Sequence, residues 1–343
     1  MVSAQTLGAG GKWPLEFRVH AECSVTRARA ASLILPNNNC PTPMFMPVAT
    51  SAVMKGVTVR QLEDLKVPLI LNNTYHLALN PGQKLLDSYD GTRKFMGWKR
   101  AMLTDSGGYQ MVSLSKLSTV VEDGVTFSSH FDQTPVKLRP EDSIALQKSI
   151  GADILMQLDD VVSSKELSES RVEEAMWRSI RWLDRCLSCQ PFHNQNVFAI
   201  IQGGLDTRLR KICVEEMIKR DCPGYAIGGL SGGESKDKFW RVVKLCTSLL
   251  PRDKPIYCMG VGYAEDLVVC SALGVDMHNI AFQMRLMADI QDSIKGGTFP
   301  DFVRDFMYKF YKQMLKDGRK FGLNKDDADG DPGKVLNENG YPN

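Results

Sequence analysis

The sequence predicts an α/β fold, a single (β/α)8 TIM barrel, on three observations. Short apolar runs recur along the chain, helical periodicity fills the intervals between them, and most runs are followed by a polar or glycine residue. The runs are Met44 to Val48, Val67 to Leu71, Ala101 to Thr104, Ile154 to Leu158, Val197 to Ile201, Tyr225 to Gly228, Pro255 to Met259 and Leu273 to Met277.

The helices follow from spacing. Val172, Ala175, Met176, Ile180 and Leu183 recur at three and four residues, as do Leu209, Ile212, Cys213 and Met217, so each set forms one buried stripe. Two insertions decorate the barrel. One is an N-terminal hairpin, Phe17 to Ser24 with Arg27 to Leu35; the other, Val125 to Phe131 with Pro135 to Leu138, lies between the third strand and the third helix. A helical stretch begins at Ile280, and another runs through Phe302, Val303, Phe306, Met307 and Phe310. From Lys316 to Asn343 too few apolar residues remain to offset the entropy of ordering. The expected organisation is a disordered N-terminus over 1–12, the barrel over 13–315 and a polar, disordered tail over 316–343.

Composition bounds the function. The 343 residues are 43% hydrophobic and 24% charged, enough for a large core. Forty-two Lys and Arg against 40 Asp and Glu give a net charge of +2, so any RNA contact must come from a local face. No secretory signal and no run of membrane-spanning length is present, so a soluble intracellular protein without a transmembrane segment is expected. Nine irregularly spaced Cys imply reduced thiols. Cys186 and Cys189 have metal-ligand spacing, but they fall on the core-facing stripe of a periodic helix and have no second pair, which favours packing.

Barrel enzymes carry their chemistry at the C-terminal ends of strands. Here those ends offer Asn72 and Asn73, Asp105, Asp159 with Asp160, Gln202, Gly229 and Gly260. Each alone is an ordinary turn former; their convergence on one rim argues for a pocket. A carboxylate such as Asp159 can accept from a ring N–H and an exocyclic amine together, Gln202 can both donate and accept, and the Gly228-Gly229 backbone can approach a carbonyl oxygen. Tyr109 and Met259 can cover the faces of a ring. The set suits a flat, nitrogen-rich base.

The runs Leu103-Thr104-Asp105-Ser106-Gly107-Gly108-Tyr109-Gln110 and Ala226-Ile227-Gly228-Gly229-Leu230-Ser231-Gly232-Gly233-Glu234 resemble the tRNA-guanine transglycosylases, in particular the eukaryotic queuine tRNA-ribosyltransferase catalytic subunits. The resemblance covers nearly the whole chain to Met277 and resumes from His278 to about Tyr311. It implies exchange of guanine for queuine at the wobble position (34) of tRNAs with GUN anticodons, through a double-displacement glycosyl-enzyme mechanism. It further implies Asp105 as acid/base and proton acceptor, with substrate bound by Asp105, Ser106, Gly107, Gly108, Tyr109, Asp159, Gln202 and Gly229, beside Met259 as the ring-covering residue read above. RNA contact falls to Gly260, Val261, Gly262, Tyr263, Ala264, Glu265 and Asp266. The implied partners are tRNA, queuine or guanine, and a non-catalytic homologous subunit in a heterodimer. The implied place is the cytoplasm, with peripheral attachment at the mitochondrial outer membrane.

The resemblance breaks at one junction. Where the family has a nucleophilic Asp, a basic stretch and a zinc site of three Cys and one His, Met277 is followed directly by His278-Asn279-Ile280. The zinc subdomain is therefore expected to be absent, no cofactor is expected, and His278 is an orphan match to the zinc ligand. Asn279 falls where the nucleophile would be, and both it and His278 are expected at the start of a helix. Asp276, the nearest carboxylate, falls on the opposite face of the strand by two-residue alternation. The expectation is a transglycosylase impaired in catalysis, with a non-catalytic base- or tRNA-binding pseudoenzyme or splice form as the alternative.

Overall fold

The computed structural model describes residues 13–108, 118–128, 134–166, 168–190, 192, 194–279 and 284–316. The segments 1–12 and 317–343 lie outside the described residues. The three sheets of the described chain are built from strands β1 (Glu16–Glu22), β2 (Arg29–Leu35), β3 (Asn38–Thr42), β4 (Met44–Met46), β5 (Leu69–Asn72), β6 (Ala101–Thr104), β7 (Ser118–Val121), β8 (Gly124–Ser128), β9 (Pro135–Leu138), β10 (Ile154–Met156), β11 (Asn196–Ile201), β12 (Tyr225–Ile227), β13 (Ile256–Cys258) and β14 (Met277–Asn279).

The central sheet has eight parallel strands in the order β4-β14-β13-β12-β11-β10-β6-β5. It closes on itself just beyond β4, where Val48 pairs with Leu71, the Leu71 N–H donates to Pro47 O at 2.9 Å, and the Ala49 N–H donates to Leu71 O at 2.7 Å. This is the (β/α)8 barrel that the apolar runs predict. Its interior is a packed core of Met44, Met46, Leu69, Leu103, Ile154, Met156, Phe198, Ile200, Tyr257 and Met277, joined from below by Leu33, Leu35 and Cys40. The three-stranded sheet β1-β2-β3 thus plugs the N-terminal end, and only the C-terminal end is left to carry a site.

Helices cover the outside. The 20-residue helix Glu169–Ser188 is capped by Ser168 Oγ, which accepts from the Arg171 N–H at 3.3 Å, and it buries Val172, Ala175, Met176, Ile180, Leu183 and Cys186. Burying a side chain such as Leu183 completely is worth about 1.5–3 kcal/mol, so this stripe, more than propensity, fixes the helix. Cys186 is part of that packing and Cys189 is half-buried beside it.

Three sequence expectations need correction. Both hairpins are three-stranded sheets: β3 adds antiparallel to β2, and β7 adds antiparallel to β8, which ends at Ser128 while 129–133 lie outside the described residues. The eighth barrel strand is Met277–Asn279 rather than Leu273 to Met277. Leu273 caps the helix Ala264–Ala272, Gly274 turns the chain at φ +99°, and the Val275 N–H still donates to Cys270 O at 3.0 Å. Ladder pairing starts only at Met277, against Met44 and Tyr257. His278 and Asn279 are therefore strand residues, paired with Phe45 and Met46, not the first turn of a helix.

Candidate active site

Each strand of a parallel barrel delivers its last residues to the same rim. Asp105 follows β6 directly, Gln202 follows β11, Gly228 and Gly229 follow β12, Met259 and Gly260 follow β13, and Asp159 stands just past β10. All stand just past the C-terminal ends of their strands, on one rim of the barrel. Tyr109 lies outside the described residues.

Asp159 is the hub. Its Oδ2 accepts from Gln202 Nε2 at 2.6 Å and its Oδ1 from Ser106 Oγ at 3.3 Å, and the residue is only 4% exposed. Burial pushes its carboxyl up to about 7, opposed by the two hydrogen bonds and assisted by the neighbouring charge of Asp160. Asp160 has the opposite environment. It faces the helix Glu169–Ser188, where Arg171 contacts it at 2.6 and 2.9 Å and Arg178 at 2.5 Å. Among the described residues no ion pair reaches Asp159.

Asp105 sits on the neighbouring strand, 7% exposed. Its Oδ1 accepts from the backbone N–H groups of Thr74 at 2.9 Å and Gly107 at 3.2 Å, and its Oδ2 accepts from Asn73 Nδ2. Asn73 and Thr74 stand directly after β5, so two adjacent strands hold this carboxylate in one orientation. The Gly-rich turn continues inward: the Gly108 N–H donates to Ser106 Oγ at 3.3 Å, and a Cβ on Gly108 would lie 3.3 Å from the Asp159 carbonyl oxygen.

The two glycines after β12 are required by space. A Cβ on Gly228 would meet Ile200 Cγ2 at 2.6 Å, and one on Gly229, already at φ +67°, would collide with Gln202 Oε1. Met259 Sδ lies 3.6 Å from that same Gly228 position. The fully buried Arg210 braces the rim by donating to the carbonyls of Ile201, Gly204 and Gly228 at 2.6–2.8 Å. Farther along the turn, Glu234 accepts from the N–H groups of Ser231 at 2.6 Å and Gly232 at 2.9 Å and from Ser164 Oγ at 2.7 Å. Beside this mouth opens a cleft of about 690 Å³, lined by Ser164, Lys165, Asp206, Gly233, Glu234 and Lys238. It adjoins the loops after β10, β11 and β12 without including Asp105 or Asp159.

The far side of the mouth differs. Asn279 ends β14, and its Oδ1 accepts from the Gly260 N–H at 3.0 Å, so an amide occupies the strand-eight end of the rim. Below it, Tyr257 is wholly buried in the barrel interior and its phenol oxygen has no hydrogen-bond partner among the described residues. Burial, followed by the charge of Asp105, holds that phenol well above its usual range. Sequence reasoning missed Thr74, Arg210, Glu234 and Tyr257; only their tertiary neighbours distinguish them from ordinary core and loop residues.

Asp276 is not part of the mouth. It precedes β14 at the opposite end of the barrel, fully buried, where it accepts from Arg29 Nε and Nη2 at 2.9 and 2.6 Å and from the Ile256 N–H at 2.8 Å. His278 does not fit a zinc site. Its ring is fully buried, Nε2 lies 3.4 Å from Ser271 Oγ, Nδ1 has no partner among the described residues, and burial lowers its pKa to about 3. Among the described residues no three His, Cys, Asp or Glu side chains are grouped to hold a metal. Residues 260–266 run from the rim into the helix Ala264–Ala272, with Asp266 buried and Tyr263 exposed.

The family model described as queuine tRNA-ribosyltransferase matches residues 23–277. The chain is similar to the queuine tRNA-ribosyltransferase catalytic subunit of Schizosaccharomyces pombe, 58% identical over 79% of this chain and 67% of that protein. It is 50% identical to the catalytic subunit of Caenorhabditis elegans over 75% of this chain and 64% of the relative. It is 43% identical to the queuine tRNA-ribosyltransferase of Thermus thermophilus over 78% of this chain and 70% of that protein. The chain therefore spans about two thirds of the length of these relatives, and the match to the family model ends at Met277.

Proposed function

This chain belongs to the queuine tRNA-ribosyltransferase family, and from that premise we propose that its mouth binds guanine and queuine, and that its reaction is their exchange at the wobble position of tRNAs with GUN anticodons. The observation that carries this reading is the junction of Asp159, Gln202 and Ser106 beside the Gly228-Gly229 backbone. A carboxylate oxygen, an amide and a backbone turn, buried together with no ion pair to the carboxylate among the described residues, complement the donor and acceptor edges of a purine-like base. For the base to enter, Gln202 must exchange its bond to Asp159 for one to the ligand.

In this reading Asp105, held by Asn73, Thr74 and Gly107, is the acid/base that moves a proton to and from the leaving base. Binding and release of a flipped-out base need only these groups. The glycosyl-enzyme step needs a second carboxylate on the other side of the ribose. At the strand-eight end the chain presents the neutral Asn279, and Asp276 is committed to Arg29 at the other end of the barrel. The chain is thus a base- and tRNA-binding member of its family whose covalent step is impaired. Its expected partner is the non-catalytic homologous subunit, and its expected place is the cytoplasm and the mitochondrial outer surface. No helix of the described residues is long and apolar enough to cross a membrane.

The test is incubation of the chain, with and without the partner subunit, with labelled queuine and a tRNA carrying guanine at the wobble position, followed by a denaturing gel. The expected result is base and tRNA binding without a covalent band, and a band gained in Asn279→Asp. A covalent band in the unaltered chain that vanishes in Asp276→Asn would refute the impaired step. Absence of any base binding would refute the reading altogether.

A further inference from the structure

Strict alternation beyond β10 would send Asp159 the wrong way. Ile154 and Met156 belong to the interior core and Leu155 to the layer between barrel and helices, so a regular strand would turn residue 158 inward and residue 159 outward. Leu158 lies in the outer layer instead, and Asp159 meets Gln202 and Ser106 at the mouth. The chain therefore shifts its parity by one residue between Met156 and Asp159. That shift has to be held.

The hold comes from the helix Glu169–Ser188, outside the rim. The buried Gln157 side chain donates to Ser179 O at 2.9 Å and accepts from the Ile200 N–H at 2.8 Å, and the Asp160 N–H donates to Ser179 Oγ at 3.0 Å. The buried Asp160 carboxylate then closes on two guanidinium groups of that helix, Arg171 at 2.6 and 2.9 Å and Arg178 at 2.5 Å. Arg178 also donates to Glu174 on its own helix and lies 3.5 Å from Glu122 in the turn between β7 and β8. Buried ion clusters of this kind are often replaceable by apolar side chains without loss of stability, so what this one supplies is a single orientation of the chain.

Resting on the reading of the mouth as a base pocket, we propose that Asp160 is a positioning residue, and that Arg171 and Arg178 act through it to keep Asp159 turned toward Gln202. The charge of Asp160 gives this role a signature. Asp159 is faced by the neutral Gln202 and Ser106 and by Asp160; Asp105 stands past Ser106 at the end of the adjacent strand, and Arg210, behind Gly229, is spent on backbone carbonyls. Asp160 is faced by Arg171 and Arg178, with Glu174 and Glu122 beyond Arg178. Burial and then the Asp160 charge hold Asp159 up at about 7. Removing that charge lets Asp159 ionise at lower pH, and removing a guanidinium from Asp160 does the reverse.

The experiment measures guanine affinity by calorimetry from about pH 5 to about pH 9 for the full chain, Asp160→Asn and Arg171→Ala. The control is Asp184→Asn, which removes an ion pair of the same helix, with Arg220 at 2.8 Å. The unaltered chain is expected to show a break near pH 7. In Asp160→Asn the affinity on the tight side of the break falls about tenfold to a hundredfold, and the break moves to lower pH. In Arg171→Ala the break moves to higher pH, and in Asp184→Asn neither quantity changes. The Arg171 side chain is 31% exposed, so its removal is the milder change and carries the test alone if Asp160→Asn does not fold. A break that neither variant moves, or undiminished affinity in Asp160→Asn, overturns the proposal and leaves the base-pocket reading intact. So does a loss in Asp184→Asn equal to that in Asp160→Asn, which would mean a general softening of the helix. Failure of the unaltered chain to bind guanine at any pH overturns both.

Discussion

The carboxylates buried at the N-terminal end of the barrel and the two that line its mouth are treated in opposite ways. At the N-terminal end Asp276 meets Arg29 through two hydrogen bonds and Asp153 meets Arg93 at 2.7 Å, with Asn37 and the Met102 N–H completing its shell. At the C-terminal end Asp159 accepts from the side chains of Gln202 and Ser106, and Asp105 is oriented by Asn73, Thr74 and Gly107. A guanidinium saturates a carboxylate and ties sheet to barrel. Neutral donors orient a carboxylate and leave it able to trade partners. The first arrangement serves the fold, and the second makes sense where a ligand completes the shell.

The contrast is broken most directly at the closed end. Asp276→Ala leaves the Arg29 guanidinium buried beneath β1 and β2 with its strongest partner gone, which should cost about 3–5 kcal/mol of stability. Urea denaturation reads this as a lowered midpoint; a midpoint within error of the unaltered chain would mean that the pair does not staple the plug to the barrel. Asp159→Ala is the counterpart at the open end. It should weaken guanine or queuine binding by about 2–5 kcal/mol without lowering the denaturation midpoint, and calorimetry giving equal affinities would remove Asp159 from the pocket.

A pH series sharpens the same comparison. Burial raises Asp159 to about 7, so the folded chain holds a proton there that the unfolded chain has released above about pH 4. Its contribution to stability is therefore fully present below that unfolded value and is lost as pH rises through 7. Relative to Asp159→Asn, the unaltered chain should lose stability across this window and then level off. Binding runs the other way: if the ionised carboxylate receives the base's donors, affinity should fall about tenfold for each pH unit below 7, and a flat profile would show that the protonated form binds.

The smallest effect belongs to β14. His278 is buried, held neutral by that burial, and its Nδ1 has no partner among the described residues, so His278→Leu should stabilise the chain by about 1 kcal/mol and leave base binding unaltered. A destabilised variant, or a midpoint for the unaltered chain that zinc raises, would show that the ring has a polar partner after all.

Periodicity along the chain was enough to read the barrel, because a strand covered on both faces and a helix with one apolar stripe leave local patterns. Seven of the eight apolar runs fall on the observed strands, and the rim residues Asp105, Asp159, Gln202 and Gly229 could be named because a parallel barrel puts every strand end on one side. The eighth run was misplaced for a local reason. Val275 is held by helix-exit hydrogen bonding, and Asp276, whose carboxylate is tied to Arg29, bonds through its backbone to Ile256 and Met44 just ahead of the first paired residue. The start of β14 is set by Met44 and Tyr257, neighbours that come from other strands.

The sequence by itself determined the fold class, the family and the chemical types gathered at the mouth, since these depend on residue identity and on spacing within one element. Tertiary structure alone decided what each carboxylate does. Asp159 and Asp160 are adjacent in the chain, yet one turns to Gln202 inside the rim and the other to Arg171 and Arg178 outside it. Likewise Asp276 and Asn279 take their surroundings from Arg29 and Gly260. The physical reason is that a charge or a ring is defined by what desolvates and contacts it, and those neighbours arrive from other elements of the fold.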